Sequence, residues 1–397
     1  MISVGSKKRI VLRPEDELLV LVASAGSDPE RTERIHALVE KGLKWDVLIE
    51  SASHHGLLPL LYWHIHSNCR AAVPRAILDQ LQNAFHETSK TNLLLAGELL
   101  EILNRLESHG ILAIPFKGPT LAVKAYGNLA FRQFGDLDIL LGEEDLPRAK
   151  ALLSTMGYQA QYPLAPAQEE AYLVSLRQWP IVKGKNQICV ELHSKLTPKD
   201  FAFPLEWVDV SRRLHPVQLC RREVLTLSSE DLLLLLCVHG AKHLWLNLCW
   251  ICDIARLLAA EKNLAWEKIL EQARAMGCER MLLLGLFLAN DLLEAEVPGE
   301  MLITMRRTQV VETLATRVYA WLFSDLGNPS DGFQAALFHL RVRERLRDGL
   351  RYSFSIALAP TLADWTLLSL PSKLSFLYYP LRAVRLANKY GMGILRG

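Results

Sequence analysis

The stretch from Ile114 to Leu141, IPFKGPTLAVKAYGNLAFRQFGDLDILL, decides the fold. It begins apolar, breaks at Lys117-Gly118-Pro119, resumes with apolar residues at helical spacing, and ends in a second apolar run led by Asp136 and Asp138. Proline is tolerated at the first helical position, so Pro119 opens a helix behind a tight turn at Gly118. The spacing therefore predicts a strand over 111–116, a short helix, and a second strand over 135–141. EEDLPRAKALLSTMGY (143–158) follows as an amphipathic helix with acids in its first turn and a glycine stop.

Further on, RQWPIVKG (177–184) and QICVELHSKL (187–196) alternate as strands, with Gly184-Lys185-Asn186 as the hairpin turn between them. Upstream, the pattern is helical almost throughout from Pro14 to about His109, and Gly110 ends the last of these helices. Downstream, PLEWVDVSRRLHPVQL (204–219) reads as a loop region, and helices run from Ser228 onward with Ser228 or Ser229 as N-cap. The expected architecture is α+β: an N-terminal helical region (1–109), a small mixed-sheet core (110–227) and a C-terminal helical domain (228–397).

The 397 residues are 50% hydrophobic, enough for two or three packed domains. A net charge of +2 gives no strong pull toward a long nucleic acid. Seven scattered cysteines suit reduced thiols better than a disulfide framework, so a cytoplasmic protein is expected. The N-terminus lacks an uninterrupted apolar core, so no signal peptide is expected, and no apolar run reaches the roughly 20 residues of a membrane-crossing helix.

In a strand, alternate side chains share a face, so Asp136 and Asp138 point together while Leu137 and Ile139 point into a core. Their Cα atoms lie about 7 Å apart, and two like charges there repel unless a divalent cation such as Mg²⁺ relieves them. Glu191, an acid between Val190 and Leu192, supplies a third carboxylate for a two-metal site that aligns an in-line displacement at phosphorus. The bland alternative is a strand edge facing solvent, or Asp136 as a turn residue after Gly135. Lys117 and the Gly118 turn are placed to face phosphate oxygens, and Arg132 is either a surface charge or a phosphate clamp.

These ordered motifs resemble the nucleotidyltransferase superfamily of DNA polymerase beta type. FKGPTLAVKAYGNLAFRQFGDLDILL, VELHSKL and LCVHGAKHLWLNLCWICDIARLL more closely resemble an uncharacterised bacterial nucleotidyltransferase family with a K-G turn, an R-x-x-x-D-x-D strand and an E/D-L-H strand. The resemblance implies metal binding and catalysis by Asp136, Asp138 and Glu191, and nucleotide-facing roles for Lys117 and Gly118. It departs from the superfamily at Pro119, where a serine hydroxyl usually touches phosphate.

His193 shares the face of Glu191 and is placed to orient the acid or touch phosphate. His239 and His243 stand one helical turn apart but lack a further ligand cluster for zinc. They and Lys242 are expected to line a cleft and contact nucleotide or acceptor, with Asp253 pairing with one of them or capping helix packing. Cys249 and Cys252 read as core thiols, and the basic, aromatic C-terminus as an amphipathic helix or a membrane-brushing tail. The expectation is a Mg²⁺- or Mn²⁺-dependent transfer of a nucleoside monophosphate from an NTP such as ATP, releasing pyrophosphate. The acceptor is open among small molecules, peptides or proteins, and tRNA. The rival is a catalytically silent nucleotide- or partner-binding module of the same fold.

Overall fold

The computed structural model describes residues 2–4, 8–10, 12–26, 28–162, 169, 177–184, 188–198, 201, 203–323, 332–358, 364, 372–382 and 384–385. A short antiparallel pair, β1 (Ile2–Val4) and β2 (Lys8–Ile10), precedes five helices: α1 (Pro14–Ala23), α2 (Pro29–Glu40), α3 (Trp45–His54), α4 (Leu58–His64) and the 33-residue α5 (Arg75–Glu107). Gly110 follows α5 in the left-handed region at φ +69°, where a glycine relieves the Cβ clash.

The central sheet holds β3 (Ala113–Pro115), β4 (Asp136–Leu141), β5 (Tyr158–Ala160), β6 (Gln178–Lys183) and β7 (Ile188–His193). Their spatial order is β3-β4-β7-β6-β5. Only the β4–β7 pairing is parallel, so the sheet is mixed. β6 and β7 form the expected antiparallel pair, although Lys185 and Asn186 of its turn lie outside the described residues. Helix α6 (Gly118–Tyr126) joins β3 toward β4 and ends at Gly127, φ +68°; α7 (Leu146–Thr155) follows β4. The edge strand β5 was not anticipated by the sequence reading.

The strand period sorts β4 into two faces. Leu137, Ile139 and Leu141 pack with the second half of α5 (Leu95, Leu99, Ile102) and with α7 in one core. Leu140, on the face of Asp136 and Asp138, belongs to a second core that holds both the N-terminal helices and the helices after residue 228. The acidic face of the sheet thus looks toward the helical body rather than toward open solvent.

The loop expected over 204–219 is corrected by the structure. It contains a short helix (Trp207–Ser211) and half of a hairpin in which β8 (His215–Leu219) pairs with β9 (Arg222–Thr226). Pro216 and the flanking arginine pairs hid the alternation, but Leu219, Val224 and Thr226 are buried. The Thr226 hydroxyl donates to the Pro115 carbonyl at 2.6 Å and so ties the hairpin to β3.

Beyond it, Ser228 caps the Ser229–Lys242 helix by accepting from the Asp231 N–H at 3.2 Å, as its sequence position predicts. Helices Leu248–Ala260, Trp266–Met276, Glu279–Leu293, Gly299–Arg307, Gln309–Phe323, Gly332–Arg341 and Leu346–Leu358 complete the body. All seven cysteines are free, and Cys252 sits in the core as read, its thiol donating to the Ala23 carbonyl. Among the described residues no helix is long and apolar enough to cross a membrane. The basic end of the C-terminus, 386–397, lies outside the described residues.

Candidate active site

β4 and β7 run parallel in a register that sets Asp136 beside Cys189, Asp138 beside Glu191 and Leu140 beside His193. Side chains two apart on a strand share a face, so the pairing gathers Asp136, Asp138, Glu191 and His193 on one surface. The register is held by Leu137, Ile139, Val190 and Leu192, all buried on the opposite face; a one-residue slip would expose them.

The contacts are close. His193 Nε2 lies 3.0 Å from Asp138 Oδ1 and 3.4 Å from Glu191 Oε2. Lys117 Nζ donates to the same Asp138 Oδ1 at 3.2 Å. The ring of Phe116 meets His193 edge-on at 5.1 Å and floors the site with apolar surface. One ligand atom from each of Asp138, Glu191 and His193 falls within 4.8 Å of the others. Asp136 stands on the same face outside that tight set. The expected trio of acids is therefore gathered with His193 at its centre and Asp136 at its margin.

Lys117 reaches Asp138 because the chain turns sharply ahead of α6. Gly118 has φ +53°, and a Cβ there would sit 3.1 Å from the Asp136 carbonyl oxygen, so the turn has room for glycine alone. Pro119 takes the first helical turn. The next hydroxyl, on Thr120, is buried and donates to the Lys117 carbonyl at 2.9 Å, so it rigidifies the turn rather than facing the cleft.

Burial works to raise the pKa of Asp138, but the Lys117 ammonium and the His193 hydrogen bond outweigh it and hold the carboxyl well below the usual range. For Asp136, burial and then the charge of Asp138 raise the pKa, against the opposing pull of Lys117. Burial lowers His193, yet its hydrogen bonds to Asp138 and Glu191 prevail and raise it. The site thus holds one carboxylate, Asp138, charged between two nitrogen donors, beside Asp136, which burial and that charge push toward its neutral form.

At the end of the Ser229–Lys242 helix, the rings of His239 and His243 meet at 4.6 Å between centroids, tilted at 55°, with Trp250 against both. Burial comes first in lowering His239 well below its ordinary value, and Lys117, His243, Lys242 and Arg132 add to it. His243 falls to about 3, from burial and then Lys242 and Lys117. Both imidazoles are therefore neutral at physiological pH, and their response to Lys117 puts Lys117, His239, Lys242 and His243 in one electrostatic neighbourhood.

Arg132 is neither a surface charge nor open to the cleft: Asp253 takes both ends of its guanidinium, Nε at 2.8 Å and Nη2 at 2.9 Å. Tyr126 OH donates to the same carboxylate at 2.7 Å. Of the two expectations for Asp253, pairing with His239, Lys242 or His243 is corrected, and the role in helix packing is the one found: it joins α6 and the segment before β4 to the Leu248–Ala260 helix. An acid at helical spacing in WICDIARLL shows that it points inward, but nothing in the sequence names a partner 121 residues away. No curated protein matches the chain. A sequence model of the uncharacterised nucleotidyltransferase family matches residues 41–294, which span α5, the whole sheet, both walls of the cleft and the helices behind it, and the chain belongs to that family as a nucleotidyltransferase.

Proposed function

We propose that the protein transfers a nucleoside monophosphate from an NTP to a hydroxyl, amine or phosphate oxygen of its acceptor, releasing pyrophosphate, with Mg²⁺ or Mn²⁺ held by Asp136, Asp138 and Glu191. The observation that carries this reading is the register of Asp138 beside Glu191 with the Lys117 ammonium already against the pair. The donor set fits a hard divalent cation: the carboxylates of Asp138 and Glu191 converge, and the Asp136 carboxylate makes no hydrogen bond among the described residues. When bound, such an ion would supply charge stabilisation for the phosphates and the attacking oxygen.

The chain's own groups have distinct tasks. Lys117 and the N–H groups at the start of α6 bind the triphosphate, and neutral His239 and His243 offer hydrogen bonds on the opposite wall. His193 fixes the carboxylates of Asp138 and Glu191. Glu191, the more open acid with its side chain 23% exposed, takes the acceptor proton. The acceptor oxygen or nitrogen bonds to the α-phosphorus as the bond from phosphorus to the α–β bridging oxygen breaks, and pyrophosphate leaves with that electron pair. Helical walls on either side leave the acceptor to be a small molecule, a peptide or protein, or tRNA, and the seven free thiols fit a cytoplasmic setting.

Incubation with each α-labelled NTP and Mn²⁺ tests the reading through pyrophosphate release and label transfer, with Asp138→Asn as control. Nucleotide binding without release under any acceptor mixture would favour the silent binding module. The Lys117–Asp138 ion pair and Pro119 after the turn are the features on that side.

A further inference from the structure

A second basic site lies just past the carboxyl end of β7. Ser194, the residue after His193, donates its N–H to the Arg177 carbonyl at 3.0 Å, so Arg177 continues the β6–β7 ladder by one step. From there opens a cleft of about 480 Å³ lined by Arg177, Phe201, Phe203, Arg345, Arg347 and Arg351. That volume suits a small molecule rather than a polymer.

The arginines are arranged for an anion. Arg177 sits at φ +57°, a left-handed conformation that a long side chain rarely adopts and that persists where its surroundings impose it. Its guanidinium has no hydrogen-bond or ion-pair partner among the described residues. Arg347 and Arg351 are one turn apart on the Leu346–Leu358 helix, a like-charge spacing that is unfavourable unless something negative lies between them. Arg345 is anchored by donating to the Arg274 and Ala275 carbonyls at the end of the neighbouring helix. The two acids in the lining are engaged: Glu206 pairs with Lys195, and Asp348 lies 3.6 Å from Arg347 Nε. Four arginines against these two acids leave the cleft net positive.

The cleft and the candidate active site share His339 as a neighbour. Phe201, in its wall, meets the His339 ring edge-on at 5.9 Å, and His339 lies within the field of His243 on the active-site wall. Along β7, Ser194 is three residues beyond Glu191, about 10 Å at strand rise. Guanidinium forks match phosphate oxygens in geometry and charge. We propose that this cleft binds the phosphate of a small phosphomonoester acceptor and thereby presents its other end to Glu191. The proposal rests on the nucleotidyl-transfer reading for the acceptor role, while the phosphate site itself stands on the arginines.

Calorimetry with inorganic phosphate and glycerol phosphate, in chelator and without nucleotide, tests it, with glycerol as the uncharged control. Both anions are expected to bind and glycerol not to. Arg351→Ala, an exposed helical position, and Arg177→Gly, which suits the backbone there, should each weaken binding by about tenfold or more. Arg75→Ala, at an exposed arginine of α5 outside both sites, should leave it unchanged. No binding to the wild type, or equal binding by the arginine variants, overturns the site. Binding that depends on the arginines in a protein that neither binds NTP nor releases pyrophosphate overturns the acceptor role together with the nucleotidyl reading. In an active protein, Arg351→Ala should raise the acceptor KM with little change in NTP KM.

Discussion

Arg132 and Asp253 meet across 121 residues of chain in a bidentate pair, and the Asp253 side chain is 1% exposed. Burial disfavours the charge on Arg132, but Asp253 more than compensates and keeps it ionised. The pair fastens the segment before β4, and so the acidic strand, to the Leu248–Ala260 helix. Removing one partner strands a buried charge, which costs about 3–5 kcal/mol. Asp253→Ala should therefore lower stability by that amount in urea unfolding, and Tyr126→Phe by about 1 kcal/mol through the lost hydroxyl. Arg132→Met with Asp253→Leu should recover much of the loss. A cost below about 1 kcal/mol for Asp253→Ala would mean that water reaches the pair.

Gly240 is set by Trp245. After the Ser229–Lys242 helix the chain passes Leu244 and Trp245 at φ 59° and 56°, and Trp245 N–H returns to the Gly240 carbonyl at 2.9 Å. The indole folds onto the helix so closely that a Cβ on Gly240 would fall 2.2 Å from its ring. That ring is fully buried, so it has nowhere to move. Gly240→Ala should cost about 1–3 kcal/mol by overpacking and disturb His239 and His243 on either side. Thermal unfolding reads the first effect. A neutral Gly240→Ala would show that the indole sits elsewhere.

Acid should destabilise the helical body through buried neutral histidines. Burial, then His54, lowers His55 to about 4, and its Nδ1 faces the Leu248 N–H at the start of a helix, where a proton would be opposed. Burial, then Arg343 and His243, lowers His339 to about 3. Unfolded imidazoles titrate near about 6.5. Between the folded and unfolded values the unfolded chain binds protons that the folded chain refuses, so stability is complete above about 6.5 and lost as pH falls. Each histidine contributes a slope of about 1.4 kcal/mol per pH unit in that window. His193, raised rather than lowered, opposes the trend, as do Asp136 and Asp291, whose carboxyls burial raises. Urea midpoints should drop between neutral pH and pH about 5, and His55→Gln should flatten the slope; midpoints flat with pH would refute the assignment.

The sequence made the sheet legible where period and punctuation agreed. Leu137, Ile139 and Leu141 alternate with two acids, and Gly118 and Gly127 bracket α6, so strand, turn, helix and strand could be read directly. The neighbourhood of Asp138 and Glu191 followed only in outline, because strand order is a tertiary matter. The β8–β9 hairpin was lost behind Pro216 and arginines, since its inward residues are few and its outer face is polar. Arg132 showed the limit of residue type: a basic residue near acids suggests phosphate, yet Asp253 had a shorter path to it once α6 and the Leu248–Ala260 helix packed together. The tight grouping with His193 also needed coordinates, because a strand histidine alone does not say which acid it touches.

Lys117 should separate binding from chemistry. Its side chain is only 16% exposed and its ammonium bonds Asp138 Oδ1, so it both keeps that acid ionised and waits at the mouth of the α6 turn where triphosphate oxygens would arrive. Lys117→Ala is expected to raise the NTP KM and lower kcat/KM by about a hundredfold, with excess Mn²⁺ restoring part of the loss by replacing the missing charge. Glu191→Gln removes a proton acceptor and one carboxylate charge while preserving shape, so nucleotide binding should survive with pyrophosphate release reduced by about a thousandfold. Asp138→Asn should abolish release and weaken uptake of Mn²⁺, because His193 and Lys117 then surround a neutral amide. The measurements are NTP binding by calorimetry and pyrophosphate release on the same preparations. If Glu191→Gln turns over like the wild type, the proton leaves by another route and the role given to Glu191 fails, even though its place beside Asp138 is fixed by the register of β4 and β7.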